Sequence, residues 1–257
     1  MRFHKYQGTG NDFVMVDNRD ETFPVRTERV ARLCHRRFGI GADGLILLQN
    51  HPGYNFRMVY FNADGNQGSM CGNGGRCLVQ FAHHLGLVSD KATFLASDGK
   101  HEAFFRDGLV HLKMSDVGAV ESDGEIHFLD TGSPHCVVYR DDLRAFDVLG
   151  EGRKLRYAER FAPGGTNVNF VERLPDGQLF VRTYERGVED ETHSCGTGVT
   201  ACALSNSLRG GDSPTRIQTL GGELRVSFRQ TGPRQFNDIY LIGPARKVFE
   251  GEIPVDF

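Results

Sequence analysis

The chain of 257 residues is long enough for one large domain or two of ordinary size, each with a real core. Its formal net charge of -3 leaves no basic footprint for nucleic acid, no apolar run reaches membrane-span length, and the basic start MRFHKYQG leads into no apolar signal core. Six cysteines at this length are neither a disulfide framework nor, without paired Cys-x-x-Cys spacing, a zinc site, so the expectation is a soluble cytoplasmic protein with reduced thiols and no metal.

Short alternating runs rich in β-branched and aromatic residues read as strands. In chain order they are FVMVDN, LILLQ, FRMVYFN, TFLAS and LVHLKM, then HCVVY, VNFVE, LFVRTYE, RIQTL, LRVSF and IYLIG. The turn signals NADGN, RDG, SDGE, LPDGQ and LGGE lie between them, so the strands are mostly antiparallel. The first helix is expected over Thr27 to Phe38, with Val30, Leu33 and Cys34 on one face and Gly39 as its cap. A second follows Cys71, where Leu78, Phe81, Ala82 and Leu85 repeat at helical spacing up to Gly86. A third follows Cys195, through Val199, Cys202, Ala203 and Leu208 to Gly210-Gly211.

The second and third helices sit in matching surroundings. The first half runs strand (FRMVYFN), polar turn, Cys-Gly-x-Gly, helix, strand (TFLAS), Asp98-Gly99, strand; the second runs strand (LFVRTYE), acidic turn, Cys-Gly-x-Gly, helix, strand (RIQTL), Gly221-Gly222, strand. Glycine turns at GTGNDFV and GGTNVNFV open strands in both halves. The pattern predicts an α+β (α/β) chain of two duplicated domains, each a mostly antiparallel sheet wrapped around a helix, joined near residues 115 to 125. The boundaries are set at 1–116 and 117–245.

SMCGNGGRC and SCGTGVTAC each put a cysteine at a helix start. There the first N–H groups lack intrahelical partners and the dipole is positive, which lowers a thiol below its ordinary pKa of about 8.5 and suits an anion. If the halves face one another, with the site in the cleft between them, one thiolate and one thiol on opposite faces of a carbon suit inversion at an acidic C–H. The N–H groups would hold the neighbouring carboxylate. A single Cys-Gly-x-Gly is as readily a structural turn as a catalytic one; two in matched settings favour catalysis. Cys34, Cys77, Cys136 and Cys202 read as buried small hydrophobes. His193 reads as a surface residue, His135 as either core or site, Asp64 as a turn former, and Glu189, Asp190 and Glu191 as a solvated acidic loop.

With those residues placed, the sequence resembles the diaminopimelate epimerases, over nearly its whole length. The likeness is carried by KYQGTGNDFV, GIGADG at 39 to 44, FNADGNQGSMCGNGGRC, SPHCVV, NVNF and YERGVEDETHSCGTG. The resemblance implies two pseudo-symmetric domains, a C-terminal segment of about residues 246–257 returning to the first, a homodimer, and a cofactor-independent enzyme. It implies that Cys71 and Cys195 are the acid/base pair interconverting LL- and meso-diaminopimelate in lysine and cell-wall precursor synthesis. Gly72, Asn73, Gly196 and Thr197 would cradle the reacting carboxylate. Asn11, Asn62, Asn167, Glu185 and Arg186 would read the distal amino-acid end, for which those residue types are suited. His135 and Glu185 would help set the protonation of a thiol. Three departures stand out: Gly44 where many members have Gln, Ser133 where many have Asn, and a stretch between Glu185 and Cys195 one residue longer.

A proline or hydroxyproline racemase is the nearest alternative, but those carry His after the first Cys-Gly, where this chain has Asn73. The related isomerases that replace the thiols with a carboxylate fit less well, given two cysteines. A thiol redox switch or anion-binding protein would use the same residues without turnover. No lysine lies in a motif for a pyridoxal phosphate Schiff base.

Overall fold

In the computed structural model, which describes residues 1–254, the chain forms two units. One comprises Met1–Leu112 with the segment from Gly243 onward, the other Lys113–Ile242.

The first unit contains β1 (Arg2–Gly8), β2 (Asn11–Asp17), α1 (Thr27–Cys34), β3 (Gly44–Gln49), β4 (Phe56–Asn62), α2 (Gly72–His84), β5 (Lys91–Ala96), β6 (Gly99–Arg106) and β7 (Leu109–Lys113). The second contains β8 (Glu121–Asp123), β9 (Ile126–Asp130), β10 (Pro134–Tyr139), α3 (Val148–Arg156), β11 (Asn167–Arg173), β12 (Leu179–Glu185), β13 (Asp190–Thr192), α4 (Gly196–Ser207), β14 (Thr215–Thr219), β15 (Gly222–Gly232) and β16 (Gln235–Gly243). The last strand, β17 (Arg246–Glu252), pairs antiparallel with β1 in the first unit.

The strand order in the first unit is β17-β1-β2-β3-β4-β5-β6-β7, and its neighbours pair antiparallel, antiparallel, parallel, antiparallel, parallel, antiparallel, antiparallel. In the second the order is β8-β9-β10-β11-β12-β14-β15-β16, with the same succession of directions. The duplication read from the motifs therefore extends to the ladder of each sheet, and β13 is an addition on β12.

Each sheet packs on its own helix. Helix α2 lies against β1, β2 and β3, and α4 against strands from β9 to β15. From Gly196 to Asn206 every residue of α4 except Thr197 is buried. A helix covered on all sides must be apolar or small all round, which the sequence GTGVTACALSN provides. Further apolar clusters fill the remaining core: Val14, Val30, Leu33, Leu45 and Leu47 in the first unit, and Val138, Val168, Phe170 and Tyr184 in the second.

Two elements differ from the sequence reading. Helix α1 stops at Cys34 and not at Phe38. The His35 Nδ1 accepts the N–H groups of Arg37 and Phe38, both at 3.1 Å, and the N–H groups of Ile40 and Gly41 return to the Leu33 carbonyl. Gly39 is not the cap. It lets the returning chain touch the helix end, since a Cβ there would fall 2.0 Å from the Arg32 carbonyl oxygen. Helix α3 was not expected, because Gly150 and Gly152 weaken its helical signal. Asp147 caps it by accepting the Gly150 N–H at 2.9 Å.

Candidate functional site

Cys71 and Cys195 occupy equivalent positions. Each is the N-cap residue of its helix in extended conformation, φ/ψ -110°/131° and -113°/115°, and neither caps through its side chain. The first intrahelical bonds run from Gly75 N–H to the Cys71 carbonyl and from Val199 N–H to the Cys195 carbonyl. Gly72 and Asn73, and Gly196 and Thr197, supply N–H groups ahead of those bonds. Cys71 is half-buried and Cys195 buried. The other four thiols are buried. Burial pushes Cys34, Cys77 and Cys136 up to about 12 and Cys202 also well upward, as expected of inert core thiols.

Around Cys71, the sulfur lies 3.5 Å from Oδ1 of Asn11, and the same oxygen accepts Nδ2 of Asn73 at 3.3 Å. Asn11 in turn donates to the Asp43 carboxylate at 2.7 Å. Asp43 pairs with Arg36, which also holds Asp12, and Lys5 closes the cluster on Asp12. One turn into α2, Arg76 is fully buried; it donates to Asn73 Oδ1 at 3.0 Å, to Thr9 Oγ1 at 3.3 Å and to the Gly72 carbonyl at 3.5 Å. Among the described residues no carboxylate pairs with it, and its Nε has no partner. The end of β1 comes close enough for this because Gly8 has no Cβ: one would lie 3.3 Å from Arg76 Nη2, the Asn73 carbonyl and the Cys77 sulfur.

Around Cys195, the sulfur lies 3.4 Å from Oγ1 of Thr197, and that hydroxyl is 2.9 Å from Nε2 of His135. His135 is fully buried, and burial, helped by the Arg186 charge, pushes its pKa down to about 3. The ring is therefore neutral at ordinary pH. Nδ2 of Asn169 faces His135 Nδ1 at 3.0 Å and donates to the Cys136 carbonyl at 3.2 Å. His135 is thus both a core residue and a neighbour of the candidate site. Ser133, one of the departures, stays polar here, with its hydroxyl 3.0 Å from His135 Nε2 and 3.4 Å from Thr197 Oγ1.

The residues assigned to the distal end divide. Glu185 and Arg186 follow one another at the end of β12, both half-buried, with Glu185 accepting from Thr192 Oγ1 at 2.9 Å. Asn167 is buried and engaged on all sides: it donates to the Pro134 carbonyl and Ser133 Oγ and accepts the Arg186 N–H. It positions Arg186. Asn62 is exposed at the end of β4, opposite Gly44. A Cβ on Gly44 would lie 2.5 Å from the Tyr60 ring and the Phe61 carbonyl oxygen, and one on Gly68 would lie 2.6 Å from the same ring. Tyr60 thus slots between two glycines beside Asn62, which gives the Gly44 departure a steric cause.

The acidic stretch is not a solvated loop. Glu189 accepts from Arg156, Tyr157, Tyr184 and the Gly187 N–H, and Glu191 forms a two-pronged pair with Arg182 at 2.6 Å. Asp190 is exposed, as is His193, and Asp64 closes its own turn by accepting the Asn66 N–H. The sequence reading missed Asp43, Tyr60, Arg76 and Asn169. Each lies inside a stretch already singled out, Asp43 in GIGADG, Tyr60 in FRMVYFN, Arg76 in the first cysteine motif and Asn169 in NVNF, but as part of a motif or strand and not as a side chain of the site.

Among the described residues no helix is long and apolar enough to cross a membrane, and no three His, Cys, Asp or Glu side chains gather as a metal site.

The fold is shared with a phenazine biosynthesis protein of the PhzF family from Bacillus anthracis (TM-score 0.76, 14% identity, 99% of both chains). It is shared too with a probable proline racemase from Agrobacterium radiobacter (TM-score 0.69, 16% identity, 98% of this chain and 92% of that one). The chain thus has the two-domain architecture of the PhzF and proline racemase type. The family model for diaminopimelate epimerase matches residues 3–120 and 127–248. The diaminopimelate epimerase of Flavobacterium psychrophilum is 50% identical, covering 98% of this chain and all of that one, and that of Chlorobaculum tepidum 44% identical, covering 96% and 98%. The chain belongs to the diaminopimelate epimerase family.

Proposed function

We propose that the protein interconverts LL- and meso-diaminopimelate by a cofactor-independent transfer of the α-proton between two thiols, in lysine and cell-wall precursor synthesis. The observation that carries this reading is the pair of N-cap cysteines in matched settings, in a chain of this family. One sulfur, as thiolate, takes the α-proton. The electron pair left on carbon is delocalised into the α-carboxylate, whose developing charge the N–H groups of Gly72, Asn73, Gly196 and Thr197 stabilise. The other sulfur, as thiol, returns a proton from the opposite face and becomes the thiolate. Arg186 and Glu185, with Asn11, Asn62 and Asn167, bind the distal carboxylate and ammonium. In this reading the protein works in the cytoplasm as a homodimer.

Incubation with LL-diaminopimelate in deuterated water, with no cofactor added, should give meso product carrying one deuterium at the inverted α-carbon. Failure to form labelled product would overturn the reading. Efficient racemisation of free proline, which lacks the distal head group, would favour the proline racemase alternative. Sedimentation tests the dimer.

A further inference from the structure

The two half-sites match in backbone but differ in the direction of their hydrogen bonds. Near Cys71 the direction is fixed at both ends. Arg76 only donates, so Asn73 presents Oδ1 to it and Nδ2 to Asn11. The Asp43 carboxylate only accepts, so Asn11 turns Nδ2 toward it and Oδ1 toward Cys71. Asn11 thus turns an acceptor to the Cys71 sulfur, which pairs with S–H and opposes S⁻.

Near Cys195 the direction is reversed. The Cys136 carbonyl only accepts, so Asn169 turns Nδ2 toward it and toward His135 Nδ1. His135 Nδ1 is then an acceptor, and the proton of the neutral ring sits on Nε2, facing Thr197 Oγ1. Asn167 is fixed likewise by the Arg186 N–H and the Pro134 carbonyl, and it donates to Ser133. Thr197 Oγ1 accepts from His135 and has its own proton left for the Cys195 sulfur at 3.4 Å. An O–H donor pairs with S⁻.

We infer that in the substrate-free enzyme Cys195 carries the thiolate and Cys71 the thiol proton, with Thr197 the group that holds the charge at Cys195 and Asp43 the positioning residue that turns the Asn11 oxygen toward Cys71. The inference rests on the two-thiol reading above. The charged groups near the first half-site include the balanced cluster of Lys5, Asp12, Arg36 and Asp43, and Arg76. Arg76 acts against the inference, since its charge favours a thiolate at Cys71. It lies behind Asn73 with its donors on Thr9, Asn73 and Gly72, whereas the Asn11 oxygen touches the sulfur. Around the second half-site stand neutral His135 and Cys202, with Arg186 and Glu185 at the end of β12. The resting enzyme is then ready for the substrate isomer whose α-hydrogen faces Cys195. After turnover the proton has moved from Cys71 to substrate and from substrate to Cys195.

The test is alkylation of the whole substrate-free protein by iodoacetamide across a pH series, with initial rates at Cys71 and Cys195 resolved by peptide mass spectrometry. Cys195 should titrate at the lower pH, by one unit or more, so that below both midpoints its thiolate fraction is about tenfold that of Cys71, each rate being scaled to its own high-pH plateau. Thr197→Val should raise the Cys195 midpoint and leave that of Cys71 in place. Asp43→Asn lets Asn11 turn over and should lower the Cys71 midpoint; circular dichroism checks that both variants are folded. A wild-type Cys71 that titrates with or below Cys195 overturns the inference without any variant, and so does a folded Thr197→Val in which the Cys195 midpoint does not move. Labelling needs no substrate, so this failure is distinct from absence of deuterium uptake, which would strike the epimerase reading itself.

Discussion

The side-chain oxygen of Asn167 accepts the backbone N–H of Arg186 at 2.8 Å, tying a buried residue of β11 to the turn after β12. The rest of the Asn167 amide is bonded to Ser133 and Pro134. Asn167→Leu leaves those partners without a donor and the Arg186 N–H without an acceptor. Loss of stability by about 1–3 kcal/mol is expected in urea titration, together with a raised KM for diaminopimelate. A variant with unchanged stability and KM would remove Asn167 from the positioning of Arg186.

Arg186 itself should read the distal carboxylate. A charge-assisted contact of this kind contributes roughly 1.5–3 kcal/mol, so Arg186→Ala should lose about one to two decades in kcat/KM. Lysine, without the distal carboxylate, should be a poor substrate for the wild type. A variant that keeps its specificity constant would assign the distal end to other groups.

His135 links stability to pH. The folded protein keeps the ring neutral down to about 3, while the unfolded chain takes up a proton below about 6.5. The unfolded state therefore binds more protons between those values. The contribution of this group is complete above the upper value and is lost as pH falls toward the lower, by up to about 1.4 kcal/mol per pH unit. Between pH 7 and 5 the wild type should lose about 2 kcal/mol more than His135→Gln. Equal losses, measured by urea titration at both pH values, would contradict a buried neutral ring.

Gly198 and Gly74 hold equivalent places in α4 and α2, yet they should tolerate alanine differently. A Cβ at Gly198 would lie 2.3 Å from Oδ1 of Asn169, the residue that orients His135. At Gly74 it would meet the flexible ends of Ile46 and Met58 at 3.0 and 3.4 Å. Gly198→Ala should cost about 1–3 kcal/mol and disturb activity; Gly74→Ala should cost less. Thermal unfolding of the two variants compares them, and the reverse order would contradict the packing described.

The cysteine helices were legible because two local signals coincide there: a glycine-rich Cys-Gly-x-Gly turn and apolar residues at helical spacing after it. The duplication was legible because those signals recur at matched positions. Asp43 and Asn169 were not, because each acts through partners brought near by sheet pairing, such as Asn11 with Asp43. Arg76 was not, because its burial and its contact with Thr9 follow from packing of the helix on the sheet. The run Glu189 to Glu191 misled for a related reason. Charge in sequence reads as solvated, and the arginines and tyrosines that hold it come largely from α3 and β12. Tyr60 was hidden because its slot is defined by the missing side chains of Gly44 and Gly68. The early end of α1 turns on one ring nitrogen of His35, which no periodicity records.

The claim on which the account depends is that both thiols carry the proton. Steady-state epimerisation of LL-diaminopimelate by Cys71→Ala and by Cys195→Ala, with thermal unfolding to confirm that each is folded, tests it most directly. Each variant keeps half of the proton relay, so each should lose at least about 10² to 10⁴ in rate while melting close to the wild type. Near-normal turnover by either folded variant would contradict a two-thiol mechanism.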